Sequence, residues 1–306
     1  MQAEVSVIIP TYNGAKKLPI LLQSLIRQSF KEFELIVVVD GSTDSTMEIL
    51  EPFKNLFENL RIIQQENRGR SGSRNAGARL ATSDLLLFID DDIELHEQNI
   101  IGHIQFHEIN KEALLFGDVM MTNRGLINQD FCEFRFHVGK KSKEKFKGEV
   151  IKIDWGNYGF TSANLSISRQ LFNDLGEFDS SLTDSEDFDL SVKALIQKKD
   201  IYFHKGLKAI HHDAISIEKY IQRQRQYYVS KIALLEKNAA YKNLMPLQFA
   251  WQQTKWRDYP KKWLMRNKYF WNNFFLSKLF MLMPPSIRYY LYSAYIYVHS
   301  VVQLKK

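Results

Sequence analysis

Three carboxylates, Asp90, Asp91 and Asp92, stand side by side directly after the apolar run Leu85 to Ile89. Each raises the pKa of the next, so a buried strand ending on all three calls for a positive partner. A divalent cation suits the place: Mg2+ or Mn2+ takes hard oxygen ligands, few from protein and the rest from water and phosphate. An exposed acidic turn is the plainer alternative. A second acidic group, Asp184, Glu186, Asp187 and Asp189, stands at the start of an amphipathic stretch running from Asp187 to Gln197. Acids there favour a helix N-terminus through the dipole, and a carboxylate so placed is also able to accept a proton. Arg68, Arg70 and Arg74 lie in a Gly/Ser-rich stretch, where fixed cations and flexible backbone suit a pyrophosphate. The same stretch also reads as a solvated basic loop. His211 and His212 follow the strand-like Ala209-Ile210 and are metal ligands or structural imidazoles.

The elements that must position these residues show in the hydrophobic pattern. Residues 5 to 9 (VSVII) form a compact β-branched run closed by the loop residues Pro10 to Gly14. Leu18, Leu21, Leu22, Leu25 and Ile26 recur at helical spacing, with Pro19 tolerable in the first turn. A second buried strand runs from Phe33 to Val39 and stops at Asp40, after which Ser42 to Ser45 can cap a helix starting near Thr46. Arg61 to Ile63 reads as a short third strand, Gln64 to Ser73 as a loop, Asn75 to Leu80 as a helix and Leu85 to Ile89 as the fourth strand. Alternating strands and helices with continuous apolar strands predict an α/β fold whose mainly parallel sheet is covered on both faces. In such sheets ligands sit at the carboxyl ends of the strands, and Thr11, Asp40 and Asp90 to Asp92 all fall there.

Beyond residue 115 the pattern loosens. Leu114 to Gly117 reads as a strand, 121 to 150 as polar and basic, Ser168 to Leu175 as a short helix and 201 to 210 as strand and turn. From Ile215 onward the chain reads as helical, interrupted at Pro246, Pro260 and Pro284-Pro285. This suggests a domain over 1–215 and a helical extension over 216–306.

Hydrophobic residues make up 45% of the 306 and charged residues 25%, enough apolar material for a core and too much for disorder. One cysteine, Cys132, excludes an internal disulfide, and no apolar run reaches the length of a spanning helix. The N-terminal apolar stretch is too short for a signal peptide, so the expected location is cytoplasmic. Charge is unevenly spread: from Lys205 to Lys306 there are 18 Lys/Arg against 4 Asp/Glu, and in the rest 23 against 31.

Three stretches taken together resemble the family 2 glycosyltransferases, which have the GT-A fold. They are VSVIIPTYNG (5–14) with ELIVVVDGSTDST (34–46), NRGRSGSRNAGARLATSDLLLFIDDD (67–92) and TSANLSISRQLFNDLGEFDSSLTDSEDFDLSVKAL (161–195). The likeness covers about residues 5–215. It implies a nucleotide pocket of Thr11, Tyr12 and Asp40, the last accepting from the ring N–H of uracil, though Asp40-Gly41-Ser42 alone also reads as a turn and cap. Val39 stands where the family commonly has a second acid. Arg74, with Asn75, falls to the pyrophosphate. Asp92 falls to the metal, Mn2+ or Mg2+, with Asp90 beside it, and Asp90 or Asp91 nearer the ribose. Asp187, next to Glu186, would be the catalytic base in a single inverting displacement. His211 matches a metal-binding position for which His212 competes, and Trp155 and Asn164 would line the acceptor site. The implied activity is metal-dependent transfer from a nucleotide-sugar, UDP-linked, to a hydroxyl of a glycolipid or polysaccharide in cell-surface glycan synthesis. The alternative is a GT-A scaffold that no longer catalyses and serves as a membrane-associated sugar-binding or assembly partner, which has no need of Asp92, Asp187 and His211 together.

The C-terminal part interleaves Trp251, Trp256, Trp263, Tyr269, Phe270 and Trp271 with Lys255, Arg257, Lys261, Lys262, Arg266 and Lys268. This composition suits an anionic membrane surface contacted by residues 251–306, at the inner face of the cell membrane. Nucleic acid is not expected as a partner, since no nucleic-acid fold accompanies the basic residues. A helical cap on the catalytic domain, or on a second copy in a homo-oligomer, is the other reading.

Overall fold

The computed structural model describes residues 3–122, 129–144, 146–154, 161–182, 184–213, 215–237, 241 and 263–300. The chain divides into two compact units, one of Met1–Thr122 with Phe136–Asp213 and the other of Asn123–Arg135 with Ala214–Lys306.

In the first unit the apolar runs become β1 (Val5–Thr11) and β2 (Phe33–Asp40), buried along their whole length, as strands covered on both faces must be. They pair in parallel, and β3 (Leu60–Gln65) and β4 (Leu85–Ile89) extend the parallel set on either side. Pro10 is tolerated inside β1 because pairing with β4 ends at Ile8. Helix α1 (Leu18–Ile26) buries Leu18, Leu21, Leu22 and Leu25 as its periodicity predicts. Further along come α2 (Thr46–Leu50), α3 (Gly69–Leu80), β5 (Ile93–Leu95), α4 (Asn99–Ile109), β6 (Ala113–Met121), α5 (Gln129–Glu144), β7 (Val150–Lys152), β8 (Asn164–Ser168), α6 (Arg169–Asp174), α7 (Glu186–Ile196) and β9 (Asp200–His211). The sheet has the order β3-β2-β1-β4-β8-β6-β9-β5, with β7 beside β9. Strand β8 runs antiparallel to both β4 and β6, β6 and β9 are parallel, and β5 pairs antiparallel with β9. One apolar core, including Val7, Ile9, Leu22 and Val37, packs on one face, and another, including Ile8, Phe88, Phe172 and Leu190, on the other.

Three elements depart from the sequence reading. The stretch read as a loop up to Ser73 already belongs to α3, which starts at Gly69 and is steadied by the Ser73 hydroxyl donating to the Gly69 carbonyl at 3.0 Å. The polar region 121–150 holds α5, whose buried Phe131, Cys132, Phe134 and Arg135 mix apolar and charged types and so conceal the helical period. The 201–210 strand is longer, running from Asp200 to His211.

In the second unit, α8 (Ile217–Lys237), α9 (Lys268–Phe275), α10 (Lys278–Met281) and α11 (Pro285–Ser300) share a core with the first turns of α5. It includes Phe131, Trp271, Phe275, Phe280 and Tyr292. The break expected at Pro284-Pro285 is present, with Pro285 opening α11 where its missing N–H costs nothing. Pro246 and Pro260 lie outside the described residues. Among the described residues no helix is long and apolar enough to cross a membrane.

Helix α3 carries the site arginine, and its seat on the sheet depends on Gly77. A Cβ there would lie 2.5 Å from Ile8 Cγ2 and 3.3 Å from Val38 Cγ2. Alanine gains about 1 kcal/mol of helix propensity, but overpacking a closed contact costs roughly 1–3 kcal/mol, and the Ile8 methyl on a buried strand has nowhere to go. Gly77→Ala is therefore expected to lose about 1 kcal/mol of stability net, read as a lower urea midpoint at unchanged slope.

Candidate active site

The register of β4 brings its last residue, Ile89, opposite Asn164, so the three carboxylates emerge just past the sheet, near Thr11 at the end of β1. There they take three different partners. Asp90 accepts from Arg74 Nη2 at 2.5 Å. Asp91 accepts from Thr11 Oγ1 at 2.7 Å and from Lys17 Nζ at 3.0 Å on both oxygens. Asp92 Oδ1 lies 2.9 Å from His211 Nε2. Burial works against the charge on Asp90, but the Arg74 guanidinium overcomes it and holds that carboxyl below its ordinary pKa. Burial raises the Asp91 carboxyl despite Lys17. The Thr11–Asp91 contact also requires Gly14, where a Cβ would lie 2.0 Å from Thr11 Oγ1. Thr11 and Asp91, expected at the nucleotide and ribose, are thus buried at 2% and 7% exposure and spent on one another.

Arg74 is the largest departure. Expected on a pyrophosphate, it is 1% exposed, and its Nη1 donates to Glu186 Oε1 at 2.7 Å while Nη2 holds Asp90. Both terminal nitrogens of this buried guanidinium are engaged by carboxylates, and its Nε has no hydrogen-bond partner among the described residues. It joins the end of β4 to the first turn of α7. Its companion Asn75 is equally internal, donating to the Phe178 carbonyl at 2.8 Å. Arg68 and Arg70, at the exposed start of α3, are the cations of that stretch nearer to solvent, and Arg70 pairs with Asp184.

Asp40 is buried at the end of β2, where its Oδ1 accepts from Gln65 Nε2 at 2.7 Å and from the Arg68 backbone N–H at 2.8 Å. Beside it, Tyr12 is 50% exposed, a free aromatic face at the rim. The Asn13 side chain accepts from the Thr43 N–H at 2.8 Å, tying the β1 loop to the loop after β2.

At the start of α7, Glu186 is buried on Arg74 and Asp187 is half-buried. Asp187 Oδ1 accepts from the Phe188 N–H at 2.7 Å and Oδ2 from the Ser162 N–H at 3.3 Å. The preceding Ser185 has φ +69°, a left-handed conformation unusual for a non-glycine residue and typical of strained functional turns. Neither Lys17 nor Ser162 was legible as part of the site. Lys17 precedes α1 without any motif, and Ser162 acts through its backbone.

Asn164 was the other residue expected at the acceptor. It is fully buried, its amide donating to the Leu207 carbonyl at 3.1 Å while its Oδ1 lies 2.9 Å from His103 Nε2. His103 and His107 also flank the Ser166 hydroxyl at 2.7 and 2.8 Å, and burial pulls their pKa values down to about 3 and about 4. This neutral polar cluster pins β8 to α4 and β9. Trp155 lies outside the described residues.

The two histidines part at the end of β9, whose last residue is His211. His211 meets Asp92, whereas His212 Nε2 lies 2.8 Å from Glu94 Oε2, which also takes Arg27. Burial lowers the His211 pKa, but the Asp92 hydrogen bond and the charges of Asp92, Asp213 and Asp90 outweigh it, leaving the pKa raised. Among the described residues no cluster of three metal-ligating side chains exists. One carboxylate and one imidazole, both partly open to solvent, nevertheless fit a Mn2+ or Mg2+ ion that draws its other ligands from phosphate and water.

Removing the Arg74 charge would leave Asp90 and Glu186 without the cation that bridges them. Breaking such a buried pair costs about 3–5 kcal/mol. Arg74→Met should lower stability by that order in chemical denaturation, and Glu186→Gln added to it should recover part of the loss, a recovery that a simple packing role for Arg74 does not give.

A family model described as Glycosyl transferase family 2 matches residues 6–176. Glycosyltransferase GlyA of Streptococcus pneumoniae is 29% identical over 220 residues, 67% of this chain and 30% of that protein. The PGL/p-HBAD biosynthesis glycosyltransferase of Mycobacterium tuberculosis is 40% identical over 121 residues, 39% of this chain and 47% of that protein. The chain thus spans about a third to a half of the length of these relatives. Among solved structures, Staphylococcus aureus TarS 1-349 in complex with UDP-GlcNAc superposes with a TM-score of 0.57 at 20% identity, covering 99% of this chain and 92% of that one. GalNAc-T7 with UDP, GalNAc and Mn2+ gives 0.56 at 17% identity, covering 70% and 44%. These two likenesses show a shared fold, and with the family match over more than half of the sequence the chain belongs to glycosyl transferase family 2.

Proposed function

We propose that the protein is an inverting, metal-dependent glycosyltransferase that moves a sugar from a UDP-sugar to a hydroxyl of a glycan or lipid-linked acceptor in cell-surface glycan synthesis. It would work in the cytoplasm at the inner face of the cell membrane, with residues 251–306 meeting an anionic surface. The observation that carries the reading is the Arg74 bridge: one guanidinium binds both Asp90 and Glu186, which brings the triple carboxylate and the Asp187 turn to the same edge of the sheet. The UDP-GlcNAc bound by TarS and the UDP and Mn2+ bound by GalNAc-T7 support the choice of donor and metal.

In this reading the exposed ring of Tyr12 and the Asp40 carboxylate receive the uracil base, and Arg68 or Arg70 takes over the pyrophosphate role first given to Arg74. Asp92 and His211 would hold the metal, which supplies charge neutralisation for the departing diphosphate. Asp187 accepts the acceptor hydroxyl's proton as that oxygen bonds to the anomeric carbon and the bond from the carbon to the diphosphate oxygen breaks. Because two backbone N–H groups hold the Asp187 carboxylate, the base is oriented before the acceptor arrives.

Asp187→Asn keeps the shape but cannot take the proton. Release of UDP from a panel of UDP-sugars in the presence of membrane extract should fall roughly 10²- to 10⁴-fold, with UDP affinity and melting temperature unchanged. Undiminished turnover in this variant would remove Asp187 as the base.

A further inference from the structure

Given the membrane partner proposed above, we infer that the outward side of α9, α10 and α11 is the docking surface and that it binds anionic phospholipid headgroups. These helices close around Phe280: its ring lies 5.2 Å from both Phe275 and Tyr292, and those two lie 4.8 Å apart. With that side of each helix spent inward, large apolar residues remain on the outside. Tyr269 is 82% exposed, Phe270 53%, Leu276 73%, Leu279 63%, Leu282 82% and Tyr290 59%. Scattered exposed apolar residues are ordinary, but this many on neighbouring short helices make a patch of the kind that marks an interaction surface.

Charge selects the occupant. After Asp258 the sequence has eight Lys/Arg and no Asp or Glu; among the described ones Arg288 is buried on Asp130, while Arg266, Lys268 and Lys278 are exposed. A second copy would set cations against cations, whereas an anionic leaflet neutralises them. The aliphatic Leu276, Leu279 and Leu282 suit the boundary between headgroups and acyl chains, a contact that base stacking on Tyr269, Phe270 and Tyr290 would not use. No described helix can span a bilayer, so the surface lies on the membrane.

The test is co-sedimentation of the full chain with phosphatidylcholine vesicles, with and without phosphatidylglycerol. The wild type should bind only the anionic vesicles, and less tightly as salt rises. The combined Leu276→Ser, Leu279→Ser and Leu282→Ser variant should bind roughly tenfold less tightly or worse, and Lys268→Glu with Lys278→Glu should lose the preference for phosphatidylglycerol. Both should keep wild-type UDP affinity and melting temperature. Wild-type vesicle affinity in the triple-serine variant would overturn the assignment. So would a wild-type dimer, indifferent to vesicles, that the serine substitutions dissociate. A wild type that binds UDP but ignores vesicles sinks the membrane surface alone, and one that binds vesicles but not UDP sinks the donor reading alone.

Discussion

A guanidinium sealed from water is the constraint on which the site rests. Placing a charge at the Arg74 position costs several kcal/mol unless carboxylates meet it with good geometry, and Asp90 and Glu186 do so at 2.5 and 2.7 Å. The tie is mutual, since the same guanidinium holds the Asp90 carboxyl below its ordinary pKa and takes Glu186 on its other nitrogen. It locks together α3, the carboxyl end of β4 and the first turn of α7, elements far apart in the chain. The close seat of α3 on β1 at Gly77 serves the same end by fixing where the arginine emerges.

The triple carboxylate becomes intelligible from this arrangement. Three adjacent negative charges repel, yet here each is drawn to a different partner: Asp90 to Arg74, Asp91 to Thr11 and Lys17, Asp92 to His211. Two of the three are structural ties and one faces a titratable imidazole near solvent. Asp92 and His211 are the pair proposed to hold the metal, while Asp90 is tied to Arg74 and Asp91 to Thr11 and Lys17.

Much of this was legible in the sequence where one physical signal dominated. The apolar runs of β1, β2 and β4 and the period of α1 follow from burial alone, and the parallel order follows from their alternation with helices. What failed depended on distant partners or on mixed signals. Gly and Ser in the Gly69 to Ser73 stretch spell a loop by local propensity, but Ser71 and Ser73 are buried and the Ser73 hydroxyl bonds the Gly69 carbonyl within the first turn of the helix. The antiparallel insertion of β8 between β4 and β6 has no local signature. The fate of Arg74 was hidden because Glu186 reaches it across 112 residues, and the same Gly/Ser context equally suits a phosphate. The register sets His211 opposite Ile93, so the choice between it and His212 is made by side-chain reach at the end of the strand, where His211 bonds Asp92 and His212 bonds Glu94.

The central claim is that this edge of the sheet binds a uridine diphosphate with the help of a metal held at Asp92 and His211. Calorimetric titration of UDP, GDP and CDP with Mn2+, and again with EDTA, tests it most directly. The account predicts binding of UDP alone, lost in EDTA and lost in Asp92→Asn. Binding of no nucleotide with Mn2+ present, or UDP binding of equal strength in EDTA, would contradict it.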